Sequence, residues 1–346
     1  MNQIVSGFID VPADPGAMFD KLYEMGVTDG LPVIPPTDEA IFRFIRASGL
    51  PGSKEIATIA PTSGSATVEK IAINAIMAGC RAEYMPAMIA AVKALADPAF
   101  NCLGAQTTTN PVAPLVVING PIRLKIDVNC GRGALGPGRR ANATIGRALR
   151  LMMVNLGGAT PGEVDKATLG MPGKYTMCLG ENEEESPWPA LHTERGFGKE
   201  QSTVTVIGVQ GNDNIWTPWK KAESILRAWS SCMKSLAANN TIRGSGNPVM
   251  LINPGHARLL NDQGFDKRRV QQELWERSKI HESEIPDEEP ELKEGNRKMV
   301  DGYCMVTEKP EDVLIVVAGG PEAYHNTWCS SFGDYAATSA IEDPEA

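Results

Sequence analysis

The sequence predicts an α/β fold with mixed or mainly parallel sheets and helices packed on them. Three observations predict it. Short apolar runs of strand length, rich in β-branched residues, occur at Leu115 to Ile118, Thr203 to Val209, Val249 to Ile252 and Val313 to Val317. Between them lie longer segments whose apolar residues recur at helical spacing, such as Ile145, Ala148, Leu149, Met152 and Met153. Glycine turns sit at the junctions, and 346 residues with 42% hydrophobic content can build one large or two ordinary cores. Two α/β halves, 1–200 and 201–346, are one division this pattern allows.

Taken in order, Pro15 to Met25 reads as a short helix, and Asp29-Gly30, Leu31 to Ile34 and Pro35-Pro36 as turn, strand and turn. Asp38 starts a helix through Ser48 that Gly49 and Pro51 end, and Glu55 to Ala60 reads as a buried strand. Thr67 caps a helix over Val68 to Ala78, stopped by Gly79; a polar bend then leads to a second helix ending near Ala96. Tyr175 to Leu179 is a short strand, followed by the acidic run Glu181 to Glu185 and a proline-broken loop carrying Trp188, His192 and Arg195. Glu223 to Ala237 is helical, as are Arg258 to Leu260 and Val270 to Lys279. The charged stretch 282–297 reads as an exposed connection before the closing segment Tyr324 to Cys329.

A formal net charge of -9 argues against a nucleic-acid surface, which needs a concentrated basic face. The N-terminus lacks a basic head with an apolar core, and the apolar run Met85 to Ala96 is too short to span a bilayer, so no membrane association is expected and the cytoplasm is the expected compartment. Seven cysteines without a CxxC pair suit reduced thiols. A homo-oligomer is the expected assembly.

The richest stretch for chemistry is Asn119 to Asn155, where a glycine turn bearing Arg132, Arg139 and Arg140 meets a helix start at Asn142. Free backbone N–H groups and the helix dipole favour an anion at such a junction, and arginine grips two oxygens at once. Gly131, Gly133 and Gly136 formally satisfy GxGxxG, but Pro137 and Gly138 delay the helix and no acidic residue follows about twenty positions on; no nucleotide cofactor is expected. The turn is either structural or a site for a substrate carboxylate or phosphate. Arg147 and Arg150, further along, are expected to face solvent.

In the acidic run, Glu183 and Glu184 could act with His192 as general acid and base, or hold a divalent metal; a solvated charged face is the plainer reading. His325 and Cys329, four positions apart, belong either to an ordinary polar loop, the plainer reading, or to a site, as a thiolate nucleophile with its imidazole or, on one helical face, as two metal ligands. Cys80, beside Arg81 at a helix end, is either an acidified thiol or a packed one. Thr108 and Asn110 flank the strand that feeds the glycine turn and could line the same pocket.

The phrases GCRAEYMP at 79–86, GALGPGRRANATIGRALR at 133–150 and NEEESPWPALHTERGF at 182–197 resemble a little-characterised family associated with thiol or selenol proteins of the (seleno)cysteine-Gly-Ser-Cys type, covering roughly residues 30 to 320. The resemblance implies that Cys80, Arg81, Glu83, Gly133 to Arg140, Asn142, Glu183, Glu184, His192, Glu194 and Arg195 fall in marked segments. It also implies a companion thiol or selenol protein. This chain departs from the motif, because Cys329 is followed by Ser330 and Ser331.

The leading expectation is an enzyme, a lyase, hydratase or hydrolase, acting on a small anionic substrate that carries a carboxylate. Arg132, Arg139 or Arg140 would bind the anion with Gly133, Gly136, Asn142, Arg81, Thr108, Asn110 and Arg195, while Glu183 or Glu184 with His192 moves protons. A thiol- or metal-dependent enzyme using Cys80 or His325 and Cys329 is the alternative, and a non-catalytic subunit for a thiol-bearing partner is the third.

Overall fold

The computed structural model describes residues 4–286, 299–342 and 344. The chain has an α/β fold built on two four-stranded mixed sheets. Eight strands form them: β1 (Ala113–Asn119), β2 (Cys178–Gly180), β3 (Thr203–Val209), β4 (Asp213–Trp216), β5 (Val249–Ile252), β6 (Leu314–Val317), β7 (His325–Cys329) and β8 (Ala337–Ala340). The first sheet has the order β2-β1-β3-β8 and the second β6-β5-β7-β4.

The two sheets repeat one pattern. In each, the first two strands of a half pair in parallel, β1 with β2 and β5 with β6. The third strand pairs antiparallel with the first, β3 with β1 and β7 with β5. The fourth strand crosses over: β4 adds antiparallel to β7 and β8 antiparallel to β3, so each half completes the sheet of the other. Residue 200 therefore lies within the chain segment that supplies the first sheet.

Side chains of period two set the layers. Val116, Ile118, Val204 and Val206 pack under α1 (Val68–Ala78), α2 (Met85–Leu95) and α3 (Arg140–Asn155). Their neighbours Leu115, Val117, Ile207 and Val209 face Val249, Leu251, Leu314 and Val316 of the second sheet. On the far side, Met250, Ile252, Ile315 and Trp328 pack under α4 (Ala222–Met233), α5 (Pro254–Asp262) and α6 (Lys267–Arg277). Both faces of β1, β3, β5 and β6 are buried, so these strands read as largely apolar, β-branched runs.

The parallel pairs require crossovers, and the helices α3 and then α5 with α6 supply them. Local signals set the ends: Thr67 caps α1, Gly79 at φ 91 closes it, and Asn253 caps α5 with Pro254 in its first turn. Two expectations are corrected. Leu31 to Ile34 forms no strand, and Glu55–Ile59 is buried only at Ile59, pairing with Gly64–Thr67 in a small hairpin. Of the charged connection 282–297, residues 287–297 lie outside the described residues. Among the described residues no helix is long and apolar enough to cross a membrane.

Candidate functional site

The repeat makes the two halves directly comparable at the carboxyl ends of their parallel strands, where α/β sheets offer ligand crevices. In the first half Ile118 stands opposite Gly180, followed by Asn119 and Glu181. In the second Ile252 stands opposite Val317, followed by Asn253 and Ala318. Glu181 fills its side of the molecule: its buried carboxyl accepts from Asn119 Nδ2 (2.6 Å) and Leu191 N (2.7 Å). Burial pushes its pKa up, against the pull of Lys267 and these bonds. Ala318 has only a methyl at the equivalent place, and the second half is open there.

The opening is a cavity of about 480 Å³. Leu179, Leu251 and Ala318 form its apolar part, and Arg132 to Leu135 of the glycine turn, Gly319-Gly320 and His325 to Thr327 surround it. Gly319 has φ +102, a left-handed conformation that favours glycine, and its N–H donates to Cys130 O (2.8 Å), which ties the end of β6 to the glycine turn. Below, Asn253 caps α5 by accepting from His256 N (2.8 Å), while its Nδ2 lies 2.9 Å from Asn326 Oδ1, His325 O and His256 Nδ1. Burial lowers the His256 pKa to about 4, so the ring is neutral and Nδ1 accepts from this amide cluster.

Arg132 and His325 both line the cavity. Arg132, its side chain 70% exposed, pairs with Glu322 through Nη2 and through Nε (3.1 Å). Water screens an exposed pair of this kind, so an incoming anion can replace Glu322 at little cost. His325, exposed at the start of β7, sets Nδ1 3.2 Å from Asn214 Oδ1. A neutral ring that donates from Nδ1 to this amide oxygen leaves the Nε2 lone pair free.

The other arginines of the turn go elsewhere. Arg139 pairs with Asp127 (3.0 Å) on the surface. Arg140 donates to Gly79 O (2.7 Å) and Cys80 O (3.3 Å), bonding carbonyls at the end of α1. Asn142 is buried: Oδ1 accepts from Asn129 N (2.8 Å), and Nδ2 faces Asn129 O, Ala134 O and Cys178 O at 3.0–3.1 Å. It therefore latches the turn instead of facing the cavity. Gly133, at φ +71, turns the chain so that Gly136 N donates to Gly133 O (2.7 Å). Arg147 and Arg150 do not face solvent: they hold Asp29 (2.8 Å) and Asp165 (3.0 Å).

The 181–195 segment lies beside the turn but builds a different network. Glu183 accepts from Gly120 N (2.7 Å), Asn119 Nδ2 (3.1 Å) and Arg123 Nε (3.1 Å), while Glu184 takes Arg123 Nη2 (2.5 Å) and has its pKa lowered chiefly by that bond. Arg123, nearly fully buried in the short helix Ile122–Lys125, was not singled out from the sequence. An arginine between Ile122 and Leu124 carries no local signal of two carboxylates sixty residues away. His192 is buried with Nε2 3.3 Å from Lys199 O, and it does not meet Glu183 or Glu184 in the cavity. Arg195 donates to Thr338 Oγ1 and Ala336 O at the far edge of the first sheet.

Of the remaining candidates, Thr108 accepts from Asn110 N (3.1 Å) within their own turn, and Asn110 Nδ2 donates to Gln210 Oε1 (3.1 Å) just past β3, so neither lines the cavity. Arg81 is exposed ahead of the turn Ala82–Tyr84. The Cys80 thiol donates to Thr144 O (3.3 Å), and burial pushes its pKa up to about 12, as it does for Cys329. His325 and Cys329 lie on a strand, not a helix, and sit roughly 13 Å apart, too far to share one metal ion. Among the described residues no group of three His, Cys, Asp or Glu side chains could hold a metal ion. No protein-family model matches the chain, and no curated protein matches it.

Proposed function

We propose that the chain is an enzyme acting on a small carboxylate-bearing metabolite bound in the crevice beyond β5 and β6. The observation that carries this reading is that Arg132 and His325 border one cavity, about 480 Å³ in volume, in the only half of the repeat whose crevice is not filled by its own carboxylate. Arg132 exchanges Glu322 for the substrate carboxylate. Thr327 offers a side-chain hydroxyl beside it, and Leu179 and Leu251 receive the carbon skeleton.

His325 Nε2 then removes a proton from the carbon next to the carboxylate, and the imidazolium returns it in a later step. That is the proton chemistry of a lyase or hydratase, and His325 takes the role that His192 with Glu183 or Glu184 was expected to fill. The family resemblance adds a companion thiol or selenol protein as partner. Because Cys80 and Cys329 are buried with raised pKa values, redox chemistry in such a pair would use the companion's group.

The test is proton exchange. Candidate acids of two to six carbons are incubated with the protein in deuterium oxide and followed by proton NMR. The reading expects loss of the α-proton signal of at least one acid, abolished in His325→Gln and restored at higher acid concentration in Arg132→Gln. Exchange unchanged in His325→Gln, or absent for every acid, overturns it.

A further inference from the structure

A second cavity, of about 770 Å³, opens at the amino ends of β5 and β6, the opposite end of the strands from the crevice just described. Leu314, the first residue of β6, and Asn247, just before β5, border it, together with Thr338 of the edge strand β8. Arg195 and Asp312 also reach it.

Arg195 differs from the other inward-turned arginines. Arg123, Arg147 and Arg150 each hold at least one carboxylate. Arg195 spends Nε on Thr338 Oγ1 and one Nη2 proton on Ala336 O, and among the described residues no carboxylate lies within ion-pair distance of it. Asp97 acts on it only at longer range, and burial lowers its pKa. A guanidinium taken partly out of water with only neutral partners lacks an anion.

Asp312 has the complementary need. Its side chain is on a residue only 7% exposed, and Oδ2 has no hydrogen-bond partner. Burial raises its pKa to about 6 against the charge of Lys309 and a backbone bond from that residue, so near neutral pH the group is a carboxylate whose Oδ2 has no donor.

One side chain ties the two together. Asn247 Oδ1 accepts from Ala336 N (2.8 Å), the residue whose carbonyl Arg195 holds, and Asn247 Nδ2 donates to Asp312 O (3.0 Å). The backbone of Asp312 and the backbone that Arg195 holds are thus bridged by one side chain, and both residues line the cavity. A guanidinium with only neutral hydrogen-bond partners and a carboxylate oxygen without a donor, lining one cavity, match the two ends of a zwitterion. We propose that this cavity is a binding site for a free α-amino acid, its carboxylate on Arg195 and its ammonium on Asp312. The volume leaves room for an amino-acid side chain beyond the two charged groups. The inference does not depend on the carboxylate crevice, since it uses none of the same residues.

The test is titration calorimetry of the full chain against the common amino acids, with the matched deaminated acid and decarboxylated amine of any that binds. At least one amino acid is expected to bind, and to lose about tenfold or more in affinity in each of Arg195→Gln and Asp312→Asn, the loss expected when a hydrogen bond to a charged group is removed. Both the deaminated acid and the amine are expected to bind at least as poorly, and Arg132→Gln, at the other cavity, should leave the affinity unchanged. If Arg195→Gln does not fold, Asp312→Asn together with crystals soaked in the bound amino acid decides, with its carboxylate expected within hydrogen-bond distance of Arg195. No binding by any amino acid, equal binding of the deaminated acid, or affinity untouched by Asp312→Asn overturns the proposal.

Discussion

Asn142 is the residue at which a ligand-binding role and a structural role make opposite predictions. Its amide is buried and serves one backbone N–H and three backbone carbonyls, with two protons shared among the three acceptors. Asn142→Ala therefore removes three hydrogen bonds' worth of interaction, roughly 3 kcal/mol at about 1 kcal/mol each, and leaves buried groups without partners, which brings the loss to roughly 3–5 kcal/mol. At about 2.1 cal/mol/K of unfolding entropy per residue, a chain of 346 residues loses about 1.4 °C per kcal/mol. The expected fall in melting temperature is thus about 4–7 °C, read by scanning calorimetry without ligand. Asn142→Asp should fall at least as far, because it keeps the acceptor for Asn129 N but sets a carboxylate oxygen against three carbonyls. Arg139→Ala, which breaks an exposed ion pair, should move by about 1 °C or less. A loss below about 1 kcal/mol in both Asn142 variants, with altered ligand affinity alone, would refute the latch.

Further outcomes follow from the same contacts. Arg123→Met strands Glu183 and part of the buried carboxylate network, so it should cost about 3–5 kcal/mol in urea unfolding, and a cost under 1 kcal/mol contradicts the clamp. Native protein treated with iodoacetamide should be labelled first at the exposed Cys232, with Cys80, Cys178 and Cys329 labelled only after unfolding; mass spectrometry that finds Cys80 modified early contradicts its packed position. His256 has a folded pKa of about 4 against an ordinary 6.5, so the unfolded chain takes up the proton first. Its contribution is complete above pH 6.5 and is lost as pH falls from there to about 4. Urea midpoints of wild type and His256→Gln should therefore converge between pH 7 and pH 4.5, and parallel curves would contradict the buried neutral ring.

The layers of the fold are legible wherever burial on both faces leaves a continuous β-branched run, as at Thr203 to Val209 or Val249 to Ile252. The exchanged strands are not. Asp-Asn-Ile-Trp in β4 and Ala-Thr-Ser-Ala in β8 are short edge strands, and only pairing with β7 and β3 makes them strands. The repeat leaves a faint trace in Ile118-Asn119-Gly-Pro and Ile252-Asn253-Pro-Gly, which end β1 and β5. In the candidate site, Arg132 and His325 were readable as residue types with promising neighbours. Sequence could not separate Arg132 from Arg139 and Arg140, because a guanidinium that holds the end of α1 and one that borders a cavity look alike until their partners are placed. Four-residue spacing likewise placed His325 and Cys329 on one helical face, whereas pairing with β5 and β4 draws them into an extended strand.

The central claim is that Arg132 and His325 serve one bound carboxylate. Its most direct measurement is titration calorimetry of mono- and dicarboxylates of two to six carbons, each against its neutral amide, with wild type, Arg132→Gln and Glu322→Gln. A carboxylate is expected to bind where its amide does not, to bind about tenfold or more weakly to Arg132→Gln, and to bind more tightly to Glu322→Gln, whose guanidinium is freed. Binding that is the same for acid and amide, or that ignores both substitutions, would contradict it.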